Sequence, residues 1–90
     1  MLEEKVGTID HFYTHLGVAA VRLQRGLKVG DTVHIKGHTS NFLQIIDSIE
    51  KEHHHVAAAR GGESVGIRLT GRAREHDAVY KIIEENVSAS

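Results

Sequence analysis

The stretch GLKVGDTVHI, residues 26–35, combines two turn signals with the start of a β-strand. Gly26 and the pair Gly30-Asp31 favour tight turns, because glycine adopts positive φ angles at little steric cost and aspartate bonds to nearby backbone. From residue 32 onward polar and apolar residues alternate, which is the period-two pattern of a strand with one buried face. We expect the side chains of Leu27 and Val29, which lie between the turns, to fill one end of the core of a small β-structure.

The same alternation recurs on both sides of this stretch, and glycines separate the runs. Short strands with regular turn signals indicate a barrel or sandwich. Proline, which often protects edge strands, is absent, so closure of the sheet is the simplest way to manage its edges. The sequence therefore predicts an all-β fold, a small six- to seven-stranded closed antiparallel β-barrel. The predicted strands are 5–13, 17–24, 32–38, 41–51, 64–70 and 77–83, and the alanines between His53 and Arg60 allow one helical turn.

The composition limits the classes of protein to which the chain can belong. Its 90 residues predict a single domain over 1–90, with the barrel at about 5–83 and a frayed tail at 84–90. The absence of cysteine excludes disulfides, thiolate zinc sites and a cysteine nucleophile. A net charge of −1 argues against a protein that coats nucleic acid by bulk electrostatics. No signal peptide or membrane-length run is present, so we expect a cytoplasmic protein with no membrane partner.

Two ordered motifs carry a resemblance to a known family. GLKVGDTVHI resembles the G-x-x-K-V-G-D-x-V-x-I element of domain two in translational GTPases such as elongation factor Tu, and ARGGESVGIRL, residues 59–69, resembles their A-x-x-G-x-x-V-G-(I/L)-x-L element. KGHTSNFLQ, residues 36–44, and REHDAVYK, residues 74–81, resemble small stand-alone translation elongation factor-like proteins. The same module is similar to the C-terminal barrel of some U32-family peptidases. The resemblance covers about residues 5–83 and implies the barrel fold.

The resemblance implies a non-catalytic binding module that docks on ribosomal RNA, transfer RNA or a translation-related protein. The chain lacks the G-x-x-x-x-G-K-(S/T) loop, which excludes nucleotide binding and GTP hydrolysis, and we predict no cofactor. Basic side chains would contact phosphates, and an aromatic ring would stack on an unpaired base. The first hairpin lacks the Gly-Arg-Gly-Thr turn of elongation factor Tu, which disfavours aminoacyl-end recognition. The candidate RNA- or partner-binding residues are Arg22, Arg25, Lys28, Lys36, His38, Thr39, Phe42, Gln44, Arg72 and Arg74.

The second hypothesis is a different function. The chain could be an accessory protein-interaction or substrate-recognition module, working like the peptidase-attached barrel but encoded separately. Binding that weakens steeply with salt would indicate RNA, because phosphate contacts release counterions, whereas an apolar protein contact would not respond in this way.

Two further patterns have alternative interpretations. The run His53-His54-His55 supplies imidazoles, but neighbouring side chains on a strand face opposite ways, so an exposed polar turn is the alternative to a metal site. His38, Thr39 and Ser40 with Asp47 supply the residue types of a triad without a nucleophile elbow, and a hydrogen-bonded β-turn is the alternative. We predict no metal site and no catalytic residues, and therefore no enzyme.

Overall fold

The computed structural model describes residues 2–83, and within that range the chain forms ten β-strands and no helix. The predicted tail at 84–90 lies outside the described residues. All strand pairings are antiparallel. The strands are β1 (Leu2–Tyr13), β2 (Val18–Leu23), β3 (Leu27–Lys28), β4 (Thr32–Lys36), β5 (Asn41–Ile45), β6 (Ile49–Lys51), β7 (His54–Val56), β8 (Ala58–Ala59), β9 (Ser64–Arg68) and β10 (Ala78–Ile83).

Eight of these strands form one sheet in the order β5-β4-β10-β1-β2-β9-β6-β7, and β3 and β8 form a separate two-stranded ribbon. The long strand β1 is central: its first half pairs with β10 and its second half with β2. The register shifts between Lys5 and Gly7 and again between Ile9 and His11. Such bulges bend a strand and increase its twist, and they allow one strand to serve two differently oriented neighbours.

The core lies on one face of this sheet, as the alternation predicts. Inward residues such as Ile9, Val21, Ile35 and Ile67 are almost completely buried, and they join one continuous apolar cluster. Full burial of a side chain of this size stabilises the fold by about 1.5–3 kcal/mol. The residues at the outward positions of the same strands therefore determine what the surface can bind.

The chain breaks the predicted pattern at three places. The predicted strand 41–51 is two strands, because Ile46 and Ile49 are both buried three residues apart, which a continuous period-two strand cannot achieve. The segment from His53 to Arg60 contains β7 and β8 in place of a helical turn. Leu27 is 2% exposed and fills the core as predicted, but Val29 is 40% exposed because it lies where the β3–β8 ribbon ends in a turn.

A closed barrel with six or seven strands is not what the backbone pairings show. In the described part of the chain, β5 and β7 are the two edges of the eight-stranded sheet, and no backbone ladder joins them. A buried side chain connects β5 to the end of β9 instead. The Gln44 amide nitrogen donates to the carbonyl of Arg68 at 2.9 Å, and its oxygen accepts from the backbone N–H of Thr70 at 2.7 Å. The coarse prediction of a small antiparallel all-β domain is confirmed, and the ladder-closed barrel is not.

Candidate functional site

The basic side chains predicted to contact RNA lie on the surface, but four of them already face carboxylates. Arg22 pairs with Asp10 at 3.2 Å and Arg25 with Glu4 at 3.3 Å. Each pair is largely exposed and contributes little to stability. The partner carboxylate nevertheless cancels much of the positive potential that a phosphate would meet. The other two pairs are Lys28 with Asp31 at 2.7 Å and Lys36 with Glu3 at 3.0 Å.

Asp31 is the most buried of these carboxylates. Burial raises its pKa, but hydrogen bonds from the side chain and backbone of Lys28, with the charge of Lys81, outweigh burial and hold that pKa below its ordinary value. A cleft of about 380 Å³ adjoins this pair and is lined by both signs of charge. The arrangement favours a fixed turn before β4 over an anion site.

The hairpin at 36–44 contains five of the predicted binding residues, and most of its polar groups are engaged within the fold. His38 and Thr39 are exposed at the turn between β4 and β5, which Gly37 N–H closes by donating to the Ser40 carbonyl at 2.8 Å. The Ser40 hydroxyl donates to the buried carboxylate of Asp77. The same carboxylate accepts the backbone N–H of Arg74 at 2.9 Å. The segment does form a turn, but the side chain of Ser40 bonds to Asp77 and that of Asn41 to His34, not to the nearby backbone.

Two further candidates in this hairpin face inward. Phe42 is half-buried and packs against the core, with its ring beside Gly71. Gln44 is buried, and both ends of its amide are occupied by the bonds to Arg68 and Thr70. These positions give Gln44 a structural role. Sequence reasoning missed it because the two partners lie 24 and 26 residues further along the chain.

The arginines of the second half lie before, at the end of and after β9. Arg60 precedes β9 and Arg68 ends it, so the strand separates them. Arg72 and Arg74 lie exposed in the loop between β9 and β10, and no ion pair to either is present among residues 2–83. Of the predicted RNA-binding residues, Arg72 and Arg74 are thus the arginines whose charge no described neighbour neutralises. Exposed Arg68, which was not predicted, also has no ion pair within residues 2–83.

The histidine run does not build a metal centre in the described residues. Glu52 and His53 have φ angles of 51° and 68° and form the turn between β6 and β7, and His54 and His55 follow on β7. Across residues 2–83, no group of three or more histidine, cysteine, aspartate or glutamate side chains could hold a metal ion. The exposed-turn interpretation describes this segment best.

The surface feature that the sequence interpretation missed is an apolar groove on the outer face of the sheet. It has a volume of about 430 Å³ and lies over β2, β9 and β6, beside the tip of the first hairpin. The register places Ala20 opposite Gly66 and Gly66 opposite Glu50, so the two smallest side chains form the floor. The groove is lined by Tyr13, Leu16, Val18, Ala20, Glu50, Glu52, His53, Ser64, Val65 and Gly66.

The two sides of the groove differ in chemistry. On one side, Leu16 is 63% exposed and Tyr13 is 47% exposed. The rings of Tyr13 and His11 pack edge-on, with their centroids 4.4 Å apart. On the other side are the carboxylates of Glu50 and Glu52. We call these the apolar wall and the acidic wall.

Nearby basic groups compensate the carboxylates of the acidic wall only in part. Lys51, between the two glutamates, is turned to Glu63, which raises the pKa of Lys51 through their hydrogen bond. His55 approaches Glu50 at 3.6 Å, and no ion pair to Glu52 occurs within residues 2–83. A signal for this groove was present in the sequence. Val18 and Ala20 are apolar at the outward positions of β2, which makes that strand apolar on both faces.

Comparison with known proteins identifies the fold. No family model matches the chain. Over 81 residues, 89% of the chain, it is 36% identical to an uncharacterized protease of Methanocaldococcus jannaschii, and it spans 20% of that relative's length. In the described part of the chain, no helix is long and apolar enough to cross a membrane.

Two solved structures share the architecture. The C-terminal domain of a U32 peptidase from Geobacillus thermoleovorans matches with a TM-score of 0.83 at 24% identity, covering 89% of this chain and 93% of that one. Its selenomethionine variant matches with a TM-score of 0.80 at 24% identity, covering 84% and 96%. The peptidase part of the sequence resemblance is supported by these likenesses, and the translation-factor part is not.

Proposed function

We propose that this chain is a non-catalytic accessory module that binds a protein partner, in the way expected of a domain appended to a U32-type peptidase. The observation that carries the proposal is the contrast on its surface. The apolar groove is open and lined by exposed Leu16 and Tyr13, whereas Arg22, Arg25 and the other paired basic residues already face carboxylates. Exposed apolar surface that no internal contact covers is typical of a protein interaction site.

The disposition of the candidate catalytic groups supports an accessory role. A triad needs its nucleophile and base within hydrogen-bond reach. Ser40 is buried and donates to Asp77, while His38 is exposed at the turn and Asp47 is exposed beyond β5. The peptidase relative's own chemistry would then reside in the four-fifths of its length that this chain does not match.

RNA binding is the second candidate, and one observation favours it. Arg68, Arg72 and Arg74 are exposed and carry no ion pair to any described residue. If these three side chains neutralised three phosphates, a fourfold rise in salt concentration would weaken binding to single-stranded RNA by about 20-fold.

The experiment compares both ligand classes on one purified protein. Fluorescence anisotropy measures binding to mixed-sequence single-stranded RNA and to transfer RNA at low and high salt. A displayed library of random peptides is selected in parallel on the same protein. We expect peptides that bind the natural chain and lose binding in A20R, which places a charged side chain on the groove floor.

The matched control is I45R, which puts the same charge on another exposed apolar position, on β5. Binding to the selected peptides should survive that change. Salt-sensitive RNA binding that falls in the double variant R72A/R74A, with no groove-dependent peptide, would replace the proposal by the RNA alternative.

A further inference from the structure

We infer that the groove recognises a protein segment that presents an apolar side chain next to a lysine or arginine. This inference rests on the proposed function and adds the chemistry of the partner. It follows from the pairing of one apolar wall with one acidic wall across a floor of Ala20 and Gly66.

The floor has room for an incoming side chain because Gly66 lacks a Cβ. An added Cβ there would meet Val18 Cγ1 at 3.5 Å and Glu50 Cβ at 3.9 Å, which are ordinary van der Waals contacts. The backbone therefore does not require glycine for steric reasons. The absence of a side chain at Gly66 deepens the groove at the point where the two walls face each other.

The apolar wall supplies the area that a hydrophobic residue would cover. Leu16 projects from the turn after β1, and Val18 continues the same surface onto β2. Covering apolar surface stabilises a complex by about 25 cal/mol per Å² before the costs of association. This wall favours an apolar group in the partner but does not select a charge.

The acidic wall selects the charge. Glu50 and Glu52 line the groove, and the intervening Lys51 is engaged with Glu63. A carboxylate pair attracts lysine or arginine and repels phosphate, so the groove disfavours RNA as its occupant. Arg68 lies on β9 opposite Val18, so its positive charge disfavours a cation of the partner at that end of the floor.

A second copy of this chain fits these walls poorly. Its exposed apolar residues Leu43 and Ile45 are separated by buried Gln44 and lie on a strand without lysine or arginine. Exposed Val29 does follow a lysine, but that Lys28 is bound to its own Asp31 at 2.7 Å. The groove therefore suits a different protein.

The test uses the peptides recovered by the library selection, resynthesised with their basic residues changed. Replacing lysine or arginine by glutamine should weaken binding about fivefold, and replacement by glutamate should weaken it further, because an exposed ion pair contributes up to about 1 kcal/mol. In the variant E50Q/E52Q the difference between the lysine and glutamine peptides should disappear. G66A should keep the fold and weaken every peptide.

A matched pair of variants isolates the apolar wall. L16S should weaken the peptides, while I45S, which removes an equally exposed side chain (63% in both cases), should not. Circular dichroism and urea unfolding confirm that each variant is folded.

The outcomes separate this inference from the proposed function. Groove-dependent peptides that lack basic residues, or that bind equally well after lysine is replaced, overturn the inference and leave the accessory module standing. An absence of groove-dependent peptides overturns both. Self-association of the chain by sedimentation that is abolished by L16S would assign the groove to a second copy and overturn the inference as stated.

Discussion

The two hairpin tips, 37–40 and 14–17, are built in opposite ways. At 37–40 side-chain hydrogen bonds tie the turn to the rest of the domain: Ser40 bonds to Asp77, and the neighbouring Asn41 bonds to His34. At 14–17 the backbone alone closes the turn, through N–H groups of Leu16 and Gly17 that donate to the Tyr13 carbonyl, and the apolar side chains point outward. Polar residues at the 37–40 tip are therefore a poor guide to binding, because a buried carboxylate engages them. The tip at 14–17 is the one that exposes apolar surface to a partner.

The largest expected effect is on the first of these tips, in the variant G37A. A Cβ at residue 37 would lie 1.8 Å from Asp77 Oδ1, so the carboxylate must move and release Ser40 and the Arg74 N–H. We expect the free energy of unfolding to fall by about 3 kcal/mol, measured by urea denaturation.

G66A is the matched variant, because it also replaces a glycine by alanine but does so in the floor of the groove. Its added Cβ makes only ordinary contacts, and alanine has the lower unfolded-state entropy. Its unfolding free energy should equal or exceed that of the natural chain. If G37A were as stable as G66A, Asp77 would not be the anchor of the tip.

The next effect concerns Gln44, in the variant Q44L. Leucine fills a similar volume but leaves the Arg68 carbonyl and the Thr70 N–H without their partner. We expect a loss of about 2 kcal/mol in urea denaturation and faster hydrogen exchange at Thr70. A loss below about 0.5 kcal/mol, with Thr70 still protected, would mean that water or backbone replaces the bridge.

The smallest effect is the pH dependence of the His34 contact. His34 Nδ1 lies 2.6 Å from Glu3, and its Nε2 lies 2.5 Å from Asn41 Oδ1, so both ring nitrogens face acceptors. The hydrogen bond to Glu3 and then that to Asn41 raise the pKa of His34 above its ordinary value, although burial and nearby Lys36 oppose the shift. The stabilisation is therefore fully present below about pH 6.5, the ordinary histidine value, and is lost as pH rises through the raised pKa of the folded state.

An NMR titration of the His34 ring checks this sign. In E3Q the pKa of His34 should fall back towards the ordinary value, because the first and largest cause of the shift is removed. The control E50Q removes a glutamate far from β4 and should leave the His34 titration unchanged. A titration that E3Q does not alter would contradict the contact.

Much of the fold could be predicted from the sequence, because period-two alternation depends only on burial of one strand face. The strands around Val21, Ile35 and Ile67 follow it closely. The break between β5 and β6 could have been recognised from the three-residue spacing of Ile46 and Ile49.

The candidate site was harder to predict, for two physical reasons. The bonds of Gln44 and Asp77 join residues that are distant in sequence, so no local pattern reports them. The groove depends on register, since Ala20 and Gly66 form a floor only once β2 and β9 are paired. The basic residues could be found by type, but the carboxylates opposite Arg22 and Arg25 come from another strand.

The two ends of β1 lie at distant parts of the molecule. Leu2 pairs with Ile83 at one end of this strand, and Tyr13 borders the groove at its other end. Twelve residues of extended chain separate these ends by roughly 35 Å. Leu2 and Ile83 therefore both lie at the end of β1 that is remote from the groove. A partner bound in the groove would sit at about that distance from both of these residues.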